Sequence, residues 1–430
     1  MPMTTAPAQP LAALVRQLEA GAATPVDLVR SCLERIEALD PGIGAWVSVD
    51  ADGALAAAEA LGRAPARGPL WGIPAGVKDI IDVAGVPSGC GSTVRHGAPP
   101  AGSDAACVAS LRRAGGIVLG KTVTTEYGYF APGPTRNPHQ PEHTPGGSSS
   151  GSAAAVAAGM VPFAFGTQTA GSLTRPASYC GVAGFVAAAG SLPTAGVTGL
   201  SHSLDSIGFL AAGVEDVRAA WAAIAGIDDQ PRHVRAPRLL LWDGTDVASV
   251  SDGMQAGLQR ALATLRPRGA WVESLGLGAA VRDLTQLHGV VMAYEAARTR
   301  QELEGRDADL SVPLAQLLEG GRALPADGYA QAVAGIAAAR REVAARLRSF
   351  DAVLAPAAPG PAPAGLDATG DPVLSRPWQA MGLPVATVPG LKDDGGLPLG
   401  LQLIGLPGNE GRLFDVAAGL ERAVADAPSG

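Results

Sequence analysis

One stretch limits what this chain can fold into more than any other: TPGGSSSGSAAAVAAG, residues 144–159. Glycines let a backbone turn where a side chain would obstruct it. The run of small residues that follows suits a buried helix. Three consecutive hydroxyls, Ser148, Ser149 and Ser150, stand where that helix begins, and a packed core has no need of them there. Residues 130–152 are rich in proline and glycine and read largely as loop. The apolar stretch 153–165 is short and alanine-rich, so it suits a helix leading into the strand MVPFAFG better than a membrane span.

Elsewhere helical and extended patterns alternate. Residues 11–38 read as two helices, the second opened by Thr24-Pro25-Val26-Asp27, with an N-cap, a proline at the first helical position and an acid at the third. SDAACVASLRRAGG (103–116) reads as a helix ended by glycine, followed by the strand IVLG. A loop, TQTAGSLTRPAS, is expected over 167–178. PRLLLWDG, residues 252–266 and GAWVESLG read as strand, helix and strand, a βαβ unit. Residues 283–349 read as helical, DAVLAPAAP and LPLGLQLIG as late strands, and 409–424 as a closing helix. The class is therefore α/β. No repeat and no long linker divides the chain.

Composition removes several functions. A net charge of −8 argues against nucleic-acid and anionic-membrane partners, and 4% aromatic residues give no base-stacking platform. Cys32, Cys90, Cys107 and Cys180 are widely spaced, so neither a metal site nor a disulfide framework is expected. Their free thiols, with no basic and then apolar leader at the N-terminus, predict a cytoplasmic protein. Only three of 32 basic residues are lysine: Lys78, Lys121 and Lys392. A chain that otherwise uses arginine keeps lysine where a neutral amine is needed, because arginine does not deprotonate. Lys392, in GLKDDGG, reads instead as a hairpin-turn residue.

Two motif matches fail on context. GGIVLGKT (115–122) fits the phosphate-loop pattern, but a helix precedes it and Ile117, Val118 and Leu119 read as a buried strand. GSSSG (147–151) fits a nucleophile elbow on Ser149, yet NPHQPEHTPG before it cannot be a central strand. The later histidines that such an elbow needs, His202, His233 and His288, have no distinctive setting. A third constellation survives: Lys78 in PAGVKDIIDVAG, the serine run, and Ser172 in GTQTAGSLTRPASYCGVAGF. A buried neutral lysine is a base, a second serine relays a proton, and the loop before Ser172 offers consecutive N–H groups to an oxyanion.

At these residues the chain resembles the amidase signature family of serine hydrolases. The family pairs a glycine–serine run with a G-T-x-x-G-G-S-type segment, its relay serine 24 residues before its nucleophile; Ser148 and Ser172 are 24 apart. The match is strongest over 70–210, and DAVLAPAAPGPAP, TGDPVLSRPWQAMGLPVATVPG and GGLPLGLQLIG resemble the family's C-terminal part. The resemblance implies one large domain over 1–430, a central mixed β-sheet covered by helices on both faces. It implies Ser172 as nucleophile, Ser148 as relay on a cis Gly147–Ser148 peptide, and Lys78 as general base with a depressed pKa and an alkaline optimum. The N–H groups of Thr169, Ala170, Gly171 and Ser172 would form the oxyanion hole. The chain departs from the family at Gln168, where aspartate is common, and at Ala170 and Ser150, where glycine is common. GFVAAAG (184–190) also replaces a lysine–proline segment.

The expected activity is hydrolysis of a small or aryl amide, without metal or cofactor. Carbamates, ureas and esters use the same machinery, and a silent binding or amidotransferase-complex subunit is the alternative of another class. The expected partner is a small-molecule amide or carbamate, with a homodimer left open. Ser149 either orients Lys78 or caps the helix after it. Arg175 either meets an anionic substrate or, as the favoured reading, holds the loop against a buried acid. Asp205 is expected to shape nearby backbone, Lys121 and Glu126 to be scaffold, and His139 and His143 either to line the entrance or, as the favoured reading, to lie at the surface. The helical region 283–335, with Tyr294 and Tyr329, and the 130–146 loop are expected to shape the pocket.

Overall fold

The computed structural model describes residues 9–63, 67–232, 234 and 236–426. Its strands are β1 (Trp46–Val49), β2 (Pro74–Lys78), β3 (Ile117–Thr122), β4 (Phe163–Gln168), β5 (Ala183–Val186), β6 (Ser206–Ala211), β7 (Arg238–Leu241), β8 (Trp271–Ser274), β9 (Ala352–Pro356), β10 (Val385–Lys392) and β11 (Pro398–Ile404). They form one mixed sheet, ordered β1-β3-β2-β4-β6-β5-β10-β11-β9-β7-β8 and flanked by helices. β2 runs parallel to both β3 and β4, and β7 parallel to both β8 and β9; the other pairs are antiparallel.

The central strands are buried along their whole length, so they carry no polar alternation. That is why β5 (AGFV) and β6 (SIGFLA) escape a reading by periodicity; the short edge strand β1 and the helices Ala51–Arg63 and Val214–Ala225 are further elements not read from the sequence. Phe163, Phe165 and Phe209 pack with ring centroids 5.9 and 5.4 Å apart. Each such buried ring contributes about 1.5–3 kcal/mol, giving the sheet a rigid floor.

Local signals are realised where chemistry is local. Thr24 Oγ1 accepts from Asp27 N, and Asp27 Oδ2 accepts from Thr24 N, closing a capping box on the helix Pro25–Ile43. β10 and β11 form the hairpin expected at Lys392. The loop expected over 167–178 is corrected in its second half, which enters the helix Thr174–Cys180. Pro176 sits in its first turn, where the missing N–H breaks no helical bond.

The helix Ser150–Ala157 is buried against β2, β3, β4 and β6. Small residues are required there: a Cβ on Gly151 would collide with the Ala45 carbonyl oxygen and with Val123 N. This close approach carries the serine run onto the C-terminal ends of β2 and β4.

Candidate active site

β2 ends at Lys78, and its parallel neighbour β4 ends at Thr167-Gln168. The lysine side chain is fully buried. Its Nζ donates to Ser148 Oγ at 2.7 Å and to Thr167 Oγ1 at 2.8 Å. Burial pushes the amine down from 10.5 to about 7, against the attraction of the Asp205 carboxylate. A large fraction of Lys78 is thus neutral at physiological pH, as a base must be. The Gly147–Ser148 peptide is cis, as expected.

Ser172 follows β4 in the loop before the helix Thr174–Cys180. It lines the same cavity as Ser148, but no hydrogen bond joins their hydroxyls; the link between the two segments is Ser149 N donating to the Ser172 carbonyl at 3.0 Å. The N–H groups of Thr169, Ala170, Gly171 and Ser172 find no acceptor among the described residues. They sit where the cavity wall is formed by those same four residues. Such unpaired donors are rare in a folded chain, and here four in succession border one cavity.

Several residues that hold this loop carry no role in the sequence reading. The Gln168 side-chain oxygen accepts from Leu173 N and Thr174 N, both at 3.0 Å, and so caps the following helix. Its Nε2 donates to Gln379 Oε1 at 3.1 Å, and Gln379 Nε2 reaches the carbonyls of Gln168 and Leu204 and the Ser206 hydroxyl. Thr169 Oγ1 donates to Asp205 Oδ1, and Asp205 Oδ2 accepts from Ser201 N at 2.9 Å. Burial lifts Asp205 to about 6 despite these donors and Lys78. Asp205 therefore does shape backbone, and it also faces the lysine.

Ser149 differs from expectation, and Arg175 holds the loop as the favoured reading has it but through carbonyls in place of an acid. Ser149 neither touches Lys78 nor makes a side-chain cap bond; its hydroxyl meets the backbone N and O of Thr167, both at 3.3 Å. It braces the strand end that presents Thr167 to the lysine. Arg175 pairs with no buried acid. It donates to the carbonyls of Gly147 (2.6 Å) and Gly370 (2.7 Å) and to Thr369 Oγ1 (3.1 Å). These bonds tie the serine run to a distant loop, and burial pushes the guanidinium down to about 10. Gly147 has no room for a side chain: a Cβ would lie 2.8 Å from the Thr369 methyl.

Lys121 is scaffold, as expected, buried in an ion pair with Asp79 at 2.9 Å and donating to Ser88; its strand setting leaves no phosphate loop. Glu126 accepts from Ser92 Oγ and Ser311 N. His139 is not at the surface but half-buried, its Nε2 bonded to the Cys180 carbonyl oxygen; His143 is half-buried too. Tyr294 and Tyr329 stack on each other with centroids 4.2 Å apart and do not line the cavity beside Ser172. The helix Gly278–Thr299 reaches that cavity through Met292 instead. His202 is exposed beside Glu295, His288 is buried at the site, and His233 lies outside the described residues.

The cavity beside Ser172 is walled by Tyr129, Phe130, Leu200, Met292 and Pro372. It adjoins a second recess through Ser148 and Thr169. The amidase family model matches residues 27–414. The chain belongs to the amidase signature family.

Among the family's curated members, a glutamyl-tRNA(Gln) amidotransferase subunit of Anaeromyxobacter sp. (strain K) is 34% identical over 468 aligned positions, covering 94% of each chain. A crystallised amidase superposes with a TM-score of 0.87 at 31% identity, over 96% of this chain and 99% of its own. The peptide amidase of Stenotrophomonas maltophilia superposes with a TM-score of 0.82 at 28% identity, over 98% of each. At this level the chain is an amidase-family hydrolase. No described helix is long and apolar enough to cross a membrane.

Proposed function

We propose that this amidase signature protein hydrolyses the C–N bond of a small amide through an acyl-enzyme on Ser172. The observation that carries the reading is Lys78: fully buried, lowered to about 7, and bonded to Ser148 Oγ on the rim of the cavity that Ser172 lines. Neutral Lys78 accepts the Ser148 proton as Ser148 accepts that of Ser172, whose oxygen attacks the carbonyl carbon. The oxyanion rests on the free N–H groups of residues 169–172. The lysine ammonium then returns its proton through Ser148 to the leaving nitrogen, and the C–N bond breaks. Water deacylates Ser172 by the same proton path in reverse. The Ser148–Ser172 contact closes when substrate seats the two hydroxyls together, as catalytic hydrogen bonds often lengthen in an empty site.

The apolar wall of Tyr129, Phe130, Leu200, Met292 and Pro372 supports a compact, partly aromatic acyl group. Carbamates and esters of similar size fit the same chemistry. The test is labelling with a fluorophosphonate probe and peptide mapping, beside a hydrolysis screen of aryl amides, short aliphatic amides, ureas and carbamates. Label on Ser172 and amide turnover lost in Ser172→Ala are expected; unchanged turnover in that variant refutes the assignment. A second reading, as part of an amidotransferase complex, is supported by the end-to-end similarity to the Anaeromyxobacter protein. It predicts little hydrolysis by the chain alone and activity restored by partner proteins.

A further inference from the structure

The helix Gly278–Thr299 presents His288, Met292 and Glu295 at spacings of four and three, on one face. Met292 lines the cavity. Glu295 accepts from Ser201 Oγ, Ser203 N and Ser203 Oγ, and so anchors the segment that carries Asp205. His288, at the other end of the face, is fully buried, with Nε2 2.7 Å from the Thr169 carbonyl oxygen. We infer that His288 is a positioning residue that aims the N–H of Ala170 into the oxyanion site by holding the carbonyl of Thr169 from behind.

A carbonyl only accepts, so the contact requires a proton on Nε2. Nδ1 has no hydrogen-bond partner among the described residues, so nothing competes to hold the proton there. Burial, with Arg376 nearby, lowers the ring to about 4, which leaves a neutral imidazole with a single N–H. The Thr169–Ala170 peptide is trans and planar, since the cis bond among the described residues is Gly147–Ser148. Its C=O and N–H point in opposite directions. Fixing the carbonyl toward His288 turns the Ala170 N–H away from that helix, and Ala170 lines the cavity beside Ser172. Asp205 holds the same residue by its hydroxyl, so Thr169 is clamped at two atoms by segments far apart in the chain.

This role for His288 rests on the hydrolase reading of Ser172 and its loop. The test uses full-length protein and fluorophosphonate–rhodamine, measuring the labelling rate constant at saturation and the half-saturating concentration separately. Removing an oxyanion donor outright costs about 10²–10³-fold, so a misaimed one is expected to cost about tenfold. His288→Phe, which removes the donor but keeps an aromatic ring, should lower the saturating rate at least fivefold with half-saturation nearly unchanged. His288→Gln, which returns an N–H near Nε2, should recover most of the rate. A Phe variant within fivefold of wild type, or a Gln variant no faster than Phe, overturns the role of His288. If the Phe variant does not fold, the ¹⁵N imidazole spectrum of the wild type decides. A neutral Nε2–H ring at pH 6 supports the inference, and an Nδ1–H tautomer or a ring charged at that pH overturns it. Wild-type protein that takes no label on Ser172 refutes the hydrolase reading instead.

Discussion

Replacing Lys78 with methionine should abolish activity and yet stabilise the fold, by an amount that falls as pH rises. The buried amine titrates near 7 in place of 10.5. Unfolding at pH 7 lets it take up a proton that the folded site half refuses, and the unfolded chain therefore gains about 4 kcal/mol from this group. At pH 9 most of the unfolded lysine is still charged while the folded one is neutral, but the gain has shrunk to about 2 kcal/mol. Stability carried by the lysine thus rises with pH between 7 and 10.5, because the unfolded state binds more protons throughout that window. Methionine fills similar volume without a charge, and it forfeits the bonds to Ser148 and Thr167, together about 2 kcal/mol at any pH. The variant should be about 2 kcal/mol more stable than wild type at pH 7 and about equal to it at pH 9. Asp205 titrates near 6, below this window. Urea unfolding of both proteins at pH 7, 8 and 9 measures the difference. A stability gap that is flat or widens with pH refutes a depressed Lys78, and with it the neutral base.

Two further substitutions probe neighbours of the lysine. Thr167→Val removes an acceptor that favours the ammonium over the amine by about 1 kcal/mol, so the inflection of kcat/KM against pH should move below 7 by roughly 0.7 units. An alkaline movement contradicts that role. Arg175→Met strands the Gly147 and Gly370 carbonyls and should destabilise the fold by about 2–4 kcal/mol in thermal or urea unfolding; a loss below about 1 kcal/mol means the arginine is not the tie described.

What the sequence makes legible is the chemistry that depends on residue type and spacing. Lys78 stands out because lysine is rare in this chain, and Ser148 and Ser172 because their separation of 24 matches that of the family the chain resembles. The capping box at Thr24 and the hairpin at Lys392 are local, so a few neighbouring residues suffice to see them. The partners that finish the site are not local. His288 meets Thr169 across 119 positions and Gln379 meets Gln168 across 211. Nothing in QLHGVVM or RPWQAMG announces either, because the signal lies in which helix the sheet order brings beside β4. Thr167 is a milder case. It stands inside the quoted GTQTAGS segment, but its hydroxyl matters only because β2 ends alongside it.

Gln168 tests whether that completed site works by electrostatics. Glutamate at this position keeps an oxygen for Leu173 N and Thr174 N, and a negative charge at a helix N-terminus is favourable by about 0.3–1 kcal/mol. Its other oxygen would face Gln379 Oε1. Gln379 cannot rotate to offer its amide without leaving the carbonyls of Gln168 and Leu204 and the Ser206 hydroxyl. Two acceptors in contact cost about 1–3 kcal/mol, so Gln168→Glu should be net destabilising. The new charge is one residue along the strand from Thr167 and on its other face, and an anion in that buried interior still favours the ammonium at a distance. An opposite charge in direct contact raises a lysine by about 1–3 units, so at this remove the expected rise is about one unit or less. The kcat/KM inflection of Gln168→Glu should therefore move alkaline, opposite to that of Thr167→Val. General loosening of the site would move both variants the same way or neither. Opposed shifts are what a single buried amine, held by Thr167 in contact and sensing a charge at 168 from further off, requires; an acid shift or no shift in Gln168→Glu refutes that tuning.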